Sequence, residues 1–83
     1  MDTNYPIVEV LWYDAIEVGE IGWNDVEEMI EESKKPCPLV KSLGYLVHDC
    51  EGHISLLRAF HSDGVSTLEK IPKGFIVAIN RLR

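Results

Sequence analysis

The chain has 83 residues, of which 46% are hydrophobic and 27% charged, and its formal net charge is −6 at pH 7. This length predicts a single domain over residues 1–83, and the apolar fraction excludes an intrinsically disordered chain. No apolar run approaches the roughly 20 residues that a membrane-spanning helix requires, so we expect no membrane insertion.

Residues 7–13 form the first predicted strand, because β-branched and aromatic side chains dominate this segment. Residues 14–22 contain two glycines and scattered acids, which predicts a long loop. A helix is predicted next, with Asn24 as its N-cap and Glu27 in the capping-box position. We expect this helix to end near Ser33, ahead of the next proline.

The predicted helix has one apolar face. Val26, Met29 and Ile30 recur at the i, i+3 and i+4 spacing that places side chains on the same side of a helix.

The chain is organised around a predicted β-hairpin. Its arms are residues 39–48 and 53–61, and the short linker contains Gly52, which can adopt a positive φ in a tight turn. Gly44 lies in the middle of the first arm and would let that strand bend, as small barrels require.

Two further strands complete the expected fold, a short one over residues 65–70 and an apolar one over residues 75–82. Residues 71–74 contain a proline and separate the two strands by a tight turn. Five strands with a long first connection predict a mainly β, small five-stranded SH3-like or Sm-like barrel, with one short helix inserted after strand 1. The alternative is a helix packed on an open antiparallel sheet.

The first strand is apolar on both faces. Val8, Val10 and Trp12 lie on one side, and Ile7 and Leu11 lie on the other. The last strand has the same property. A small barrel covers only its inner face, so the apolar residues on the outer faces of these strands predict a subunit interface and a homo-oligomer.

Charge is divided unevenly along the chain. Residues 1–33 contain ten acids and no lysine or arginine, whereas residues 34–83 contain four acids and eight bases. A solvated acidic helix or charge complementarity within the fold explains this division. Alternatively, the two halves meet in neighbouring subunits, or the basic half binds an anion.

Five short segments carry a family resemblance: Trp12-Tyr13-Asp14, Gly22-Trp23, Ser42-Leu43-Gly44-Tyr45-Leu46, Ile71-Pro72-Lys73 and residues 76–82. Together they resemble a family of short phage- and prophage-encoded proteins. That family has no settled activity, so the resemblance implies a phage origin rather than a chemistry.

A fainter resemblance links the chain to SH3 domains. The segment Leu11-Trp12-Tyr13-Asp14, followed by acidic residues, is similar to their Ala-Leu-Tyr-Asp-Tyr opening, and Gly74-Phe75-Ile76 is similar to their Gly-Tyr-Ile-Pro segment. No tryptophan occurs between positions 39 and 60, where the SH3 groove takes its central aromatic wall. The likeness therefore implies shared barrel geometry and not the binding of proline-rich peptides.

Aromatic and basic side chains make up the candidate ligand site. Buried tryptophans would be core or helix-packing residues, whereas exposed ones would form a stacking platform beside phosphate-binding bases. The candidate residues are Trp12, Tyr13, Trp23, Tyr45, Lys41, Arg58, Lys73 and Arg81.

The hairpin linker carries the most metal-like group of residues, His48, Cys50 and His53, to which Cys37 or His61 would add a fourth ligand. The spacing matches no familiar zinc motif, so we predict a plain hairpin with no metal and no cofactor. Both cysteines are expected as free thiols, because a reducing cytoplasm disfavours disulfides.

We expect no catalytic residues. A cysteine–histidine nucleophile needs a lowered thiol pKa and an orienting third group, and the sequence contains no glycine-rich phosphate loop.

The function predicted from these features is that of a non-enzymatic, phage-type accessory binding module. It would act on a host protein or sequester a small anionic ligand, and a role against host defence fits a small acidic phage protein. The alternative is an Sm-like protein that binds RNA or a nucleotide through the basic C-terminal half, although the negative net charge disfavours nucleic acid. The N-terminus lacks the basic and apolar regions of a signal peptide, so we expect a cytoplasmic protein, in the host cytoplasm if a phage encodes it.

Overall fold

The computed structural model describes residues 4–83. The elements in chain order are β1 (Ile7–Tyr13), α1 (Val26–Ser33), β2 (Leu39–Asp49), β3 (His53–Leu57), β4 (Phe60–His61), β5 (Gly64–Val65), β6 (Leu68–Pro72), a 3₁₀ turn (Lys73–Phe75) and β7 (Ile76–Arg81). Strands account for 48% of the structure and helices for 14%. The prediction of a mainly β fold with a short helix after the first strand is therefore confirmed.

The described strands form one antiparallel five-stranded sheet in the order β6-β3-β2-β1-β7, and β4 and β5 form a separate two-stranded ribbon. The predicted second hairpin arm is too long, because β3 ends at Leu57 and the chain then turns away. The backbone N–H groups of Arg58 and Ala59 donate to Ser66 Oγ at 2.9 and 3.2 Å and leave the β3 ladder. The strand predicted over residues 65–70 is interrupted, because β5 ends at Val65 and β6 begins only at Leu68.

The sheet curls but does not close into the predicted barrel. Three residues separate the edge strands β6 and β7 in sequence, so the Cα atoms of Pro72 and Ile76 are at most about 15 Å apart. A flat sheet would separate its first and fifth strands by about 19 Å. Curling brings the edges together at this corner, yet no ladder joins β6 to β7 within residues 4–83.

Strand β2 is shared by the two halves of the sheet. Its first part, as far as Tyr45, pairs with β1, and the part from Tyr45 onward pairs with β3. Gly44 lies at the changeover, where a Cβ would stand 2.8 Å from the carbonyl oxygen of Leu57. The absent side chain lets β3 approach at this point, whereas the bend predicted at Gly44 stays a prediction. A bulge between Leu46 and His48 adds to the local twist.

The core lies on the concave side of this sheet. It consists of Val8 and Val10 from β1, Ile54 and Leu56 from β3, and Ile71 from β6, all at most 2% exposed. Part-buried Trp12, Leu46 and Ile76 pack against this cluster. Val8, Val10 and Trp12, which the sequence placed on one side of β1, thus all pack in or against the core.

Residues 14–38, here called the acidic arm, connect β1 to β2. A hydrogen bond from Asp14 N–H to the carbonyl oxygen of Pro38, at 3.0 Å, closes its base. Helix α1 has no buried residue and forms no extended interface with any described strand. The radius of gyration is 16.9 Å, whereas about 12 Å is expected for a compact chain of this length. The predicted alternative, a helix packed on an open sheet, is therefore correct about the open sheet and wrong about the packing of the helix.

The helix begins one residue later than predicted. Asp25 is the N-cap, and its carboxylate accepts a hydrogen bond from the N–H of Glu28 at 3.0 Å. Asn24 instead binds the backbone N–H and carbonyl oxygen of Glu20 and so closes the preceding loop. In that loop Gly19 has a positive φ of 116°. Gly52, for which the sequence suggested a positive φ, does not have one.

Candidate functional site

The predicted aromatic residues lie in different environments. Trp12 belongs to the core, where its indole N–H donates to the hydroxyl of buried Ser42 at 3.0 Å. Tyr45 packs edge-on against Phe60, with ring centroids 5.1 Å apart. Trp23, in contrast, is fully exposed on the acidic arm. Tyr13 is also exposed, at 48%, so Trp23 and Tyr13 are the two of these residues that present a surface to a partner.

The predicted basic residues are also dispersed. Arg58 forms an ion pair with Glu69 at 3.3 Å, and Lys73 forms one with Asp49 at 2.7 Å near the β2–β3 turn. Lys41 is exposed and lies opposite Leu11 in the ladder between β1 and β2. Arg81 is exposed on β7 and lies opposite Val8. The eight candidate residues therefore do not converge on one ligand site.

Two smaller surfaces collect some of these residues. A shallow, mostly apolar groove at the junction of the arm and β7 is lined by Tyr13, Asp14, Cys37, Phe75 and Val77, among others. A second, more polar groove is lined by Asn4, Tyr5, Pro6, Arg81 and Arg83.

The acidic arm carries several exposed hydrophobic side chains, of which the sequence singled out Trp23 alone as a candidate. Trp23 and Ile21 are as exposed as in an extended chain, at 104% and 108%. Four more hydrophobic side chains of the arm are exposed: Ile16, Val18, Val26 and Ile30. The arm also carries eight acids and two lysines. A binding surface of this kind suits an apolar partner that carries positive charge.

The arm has enough internal structure to present these side chains. Met29 and Glu32 of α1 are half-buried, and they line a groove together with Ile16 and Val18 from the irregular segment that precedes the helix. Val26 lies outside this groove and remains exposed. The predicted apolar face of α1 is thus only partly covered, at Met29.

The β2–β3 turn brings together the three residues that the sequence suggested as metal ligands. The ligand atoms of His48, Cys50 and His53 all lie within 4.8 Å of one another. Cys50 Sγ is 3.4 Å from His53 Nδ1, and the two imidazole rings are 5.3 Å apart between centroids. Among the described residues, Cys37 and His61 are not part of this group. Cys37 and Cys50 are both free thiols.

Within residues 4–83 no helix has the length and apolar character needed to cross a membrane. Comparison of the chain with protein-family models, with curated proteins and with solved structures found no match. The assignment of function therefore depends on the surfaces described above.

Proposed function

We propose that this protein is a non-enzymatic binding module that uses its acidic arm to bind another protein. The observation that carries this proposal is the full exposure of Trp23 and Ile21 on a segment that has its own hydrogen-bonded structure. Large apolar side chains presented in this way are typical of residues that become buried in an interface. Tryptophan is among the residues that most often dominate binding energy.

The charge of the arm indicates the kind of partner. Eight acids against two lysines give the arm a net charge of −6, equal to that of the entire chain. Such a surface attracts a partner with a basic rim around an apolar pocket and increases the association rate at low ionic strength. The resemblance to short phage proteins supports a host protein as partner, in the host cytoplasm, and an accessory role against host defence.

The folded sheet would be the scaffold for this arm. Five antiparallel strands, a long first connection and a one-turn break before β7 support an SH3-like or Sm-like fold that has opened between β6 and β7. In this assignment the arm corresponds to the long loop after the first strand. Loops on a rigid scaffold are where binding residues are most often found.

Co-purification followed by native mass spectrometry tests the arm. The tagged protein is expressed in its own host cells, purified without refolding, and compared with the double variant Ile21→Ser, Trp23→Ser. The matched control is Leu39→Ser, Leu43→Ser, which removes two exposed hydrophobic residues from β2. We expect wild type and the control to carry one host protein in a stoichiometric complex, and the arm variant to lack it. The same complex should form again when the two purified proteins are mixed. A wild-type spectrum of the chain alone would refute the proposal.

We further propose that two copies pair through β7. Among the described strands β7 hydrogen-bonds to β1 only, and Val77 and Ile79 are exposed along it, as is Leu82 directly after it. An antiparallel pair of β7 strands centred on Ala78 would bring Arg81 opposite Phe75 of the second copy. Asp14 lines the groove beside Phe75, so opposite charges would meet at both ends of the pair.

Sedimentation velocity tests this pairing. Wild type is expected as a dimer that dissociates at low micromolar concentration, and Val77→Lys is expected to be monomeric. Leu43→Lys introduces the same charge at an exposed position away from β7 and should leave the dimer intact. A wild-type monomer at 100 μM, or equal dissociation of both variants, would contradict the pairing.

A second candidate function is the binding of RNA or a nucleotide. Arg81 and Arg83 line one groove together with Tyr5, whose ring stacks on Phe60 with centroids 6.1 Å apart. Stacking and phosphate contacts of this kind are typical of single-strand binding. Salt-sensitive binding of oligouridine that is lost in Arg81→Ala would favour this function over the arm-based one.

A further inference from the structure

We propose that the tip of the β2–β3 hairpin is a binding site for one zinc ion, with His48, Cys50 and His53 as its three protein ligands. The site lies apart from the acidic arm, and its presence or absence does not depend on the partner proposed above.

The hairpin register places the three side chains on one face. Cys50 N–H donates to the carbonyl oxygen of His53 at 3.0 Å, so these two residues face each other across a two-residue turn. His48 precedes Cys50 by two positions and pairs with Ser55. Since side chains two positions apart on a strand share a face, His48, Cys50 and His53 lie on the same side. The ladder is regular from His48 to the turn, because His48 pairs with Ser55 and Asp49 with Ile54, and the bulge lies on the other side of His48.

The distances fit a tetrahedral ion. With Zn–S near 2.3 Å and Zn–N near 2.0–2.1 Å, the sulfur and nitrogen ligands of one zinc ion are about 3.6 Å apart. Cys50 Sγ and His53 Nδ1 are already 3.4 Å apart. The largest separation within the group is 4.8 Å, so closure requires a side-chain movement of roughly 1 Å. His48 is exposed and can rotate to make it.

The ligand set selects the class of metal. One thiolate and two imidazoles are soft to borderline ligands, which favour zinc over magnesium or calcium. The adjacent carboxylate of Asp49 forms an ion pair with the ammonium group of Lys73 at 2.7 Å, so its partner is Lys73 and not the proposed metal ion. Three protein ligands leave a fourth position for water or for a donor from a bound molecule.

A bound ion would stabilise the β2–β3 turn, which is hydrogen-bonded to a second part of the fold. The carbonyl oxygen of Gly52, at the hairpin turn, accepts a hydrogen bond from the N–H of Lys73 at 2.9 Å. The turn is thereby connected to the short segment between β6 and β7. Small domains bury little surface, so a metal staple at such a junction has a larger effect on stability than it would in a large protein.

The test uses the complete reduced protein, stripped with a chelator and then titrated with Zn²⁺ under equilibrium dialysis. We expect one zinc ion per chain, and a thiolate-to-metal charge-transfer band when Co²⁺ replaces zinc. Cys50→Ser and His48→Ala should each weaken zinc binding at least about 100-fold, because loss of a direct ligand exceeds the 10–100-fold effect of removing an outer partner. Cys37→Ser and His61→Ala are the matched controls and should bind zinc as wild type does.

A second measurement requires no variant. Zinc should protect Cys50 from alkylation while exposed Cys37 reacts at the same rate with and without the metal. Substoichiometric binding at equimolar micromolar concentrations would overturn the site. Equal protection of both cysteines, or loss of binding in the Cys37→Ser or His61→Ala control, would also overturn it.

Discussion

The close approach of β2 and β3 at Gly44 leads to a sharp test of the fold. In Gly44→Ala, the new methyl carbon would lie 2.8 Å from the carbonyl oxygen of Leu57 and 3.3 Å from Cβ of Leu56. The first distance is far inside van der Waals contact, and the atom concerned is backbone. The strands must therefore separate by several tenths of an ångström where β2 passes from β1 to β3.

The expected magnitude follows from two opposing effects. Inserting a methyl group into a packed site costs typically about 1–3 kcal/mol. The lower entropy of the unfolded alanine chain offsets about 0.4–1 kcal/mol of this. We expect Gly44→Ala to lower the free energy of unfolding by about 1–2 kcal/mol, which is a large share of the stability of so small a domain. With an m-value near 1 kcal/mol/M, the urea midpoint should fall by about 1–2 M.

Urea denaturation followed by far-ultraviolet circular dichroism measures this change. Gly52→Ala is the matched control, because no atom lies within 4 Å of its added Cβ and its φ is outside the left-handed region. The control should be as stable as wild type or slightly more stable. If Gly44→Ala unfolds at or above the wild-type midpoint, or the control loses more stability than Gly44→Ala, the packing described for this strand is wrong.

Three further substitutions test the core and the arm. Trp12→Phe leaves the buried hydroxyl of Ser42 without its indole donor, and we expect urea denaturation to show a loss of about 1–3 kcal/mol that Ser42→Ala partly restores in the double variant. Ile54→Ala removes a fully buried side chain and should lower stability by about 2–4 kcal/mol, seen as a lower melting temperature. Asp25→Ala removes the acceptor for Glu28 N–H, which should lower local helix stability by about 1 kcal/mol and speed hydrogen exchange at Glu28.

Each of these expectations has a contrary result. Additive losses in the double variant of Trp12 and Ser42 would show that the two groups are not coupled. A loss below about 1 kcal/mol for Ile54→Ala would place that side chain outside a rigid core. A large drop in global stability for Asp25→Ala would mean that α1 packs on the sheet, since a helix without buried residues cannot cause it.

Much of the sheet could be predicted from local patterns. The alternation of Val8, Val10 and Trp12 marks the face of β1 that packs in the core, and Gly44 marks the point where β3 approaches β2 closely. The ends of the strands could not be predicted in the same way. The ladder of β3 stops where the N–H groups of Arg58 and Ala59 donate to Ser66 Oγ. Ser66 lies outside residues 53–61, so the pattern of that segment could not predict the contact.

The arm shows a different limit of sequence reasoning. Periodicity at Val26, Met29 and Ile30 correctly identifies an apolar side of α1, but it does not reveal whether another element covers that side. In the structure only Met29 is half-buried, and Val26 and Ile30 are exposed.

The hairpin cluster illustrates why spacing alone undervalues a site. The pattern His-x-Cys-x-x-His matches no familiar finger, and the ligand geometry depends on the register of one turn. Cys50 and His53 face each other because the turn has two residues, and His48 joins them because the ladder stays regular as far as His48. These are pairing properties of two strands, which a one-dimensional motif does not contain.

The attachment of the arm at a single base has an evolutionary consequence. The buried cluster that stabilises the sheet contains no residue from positions 14–38. Substitutions in the arm therefore carry little penalty in folding, and lengthening it adds only a slowly growing loop entropy. The two parts of the molecule are open to selection independently, so the arm could follow changes in the partner surface proposed for it while the sheet remains the same.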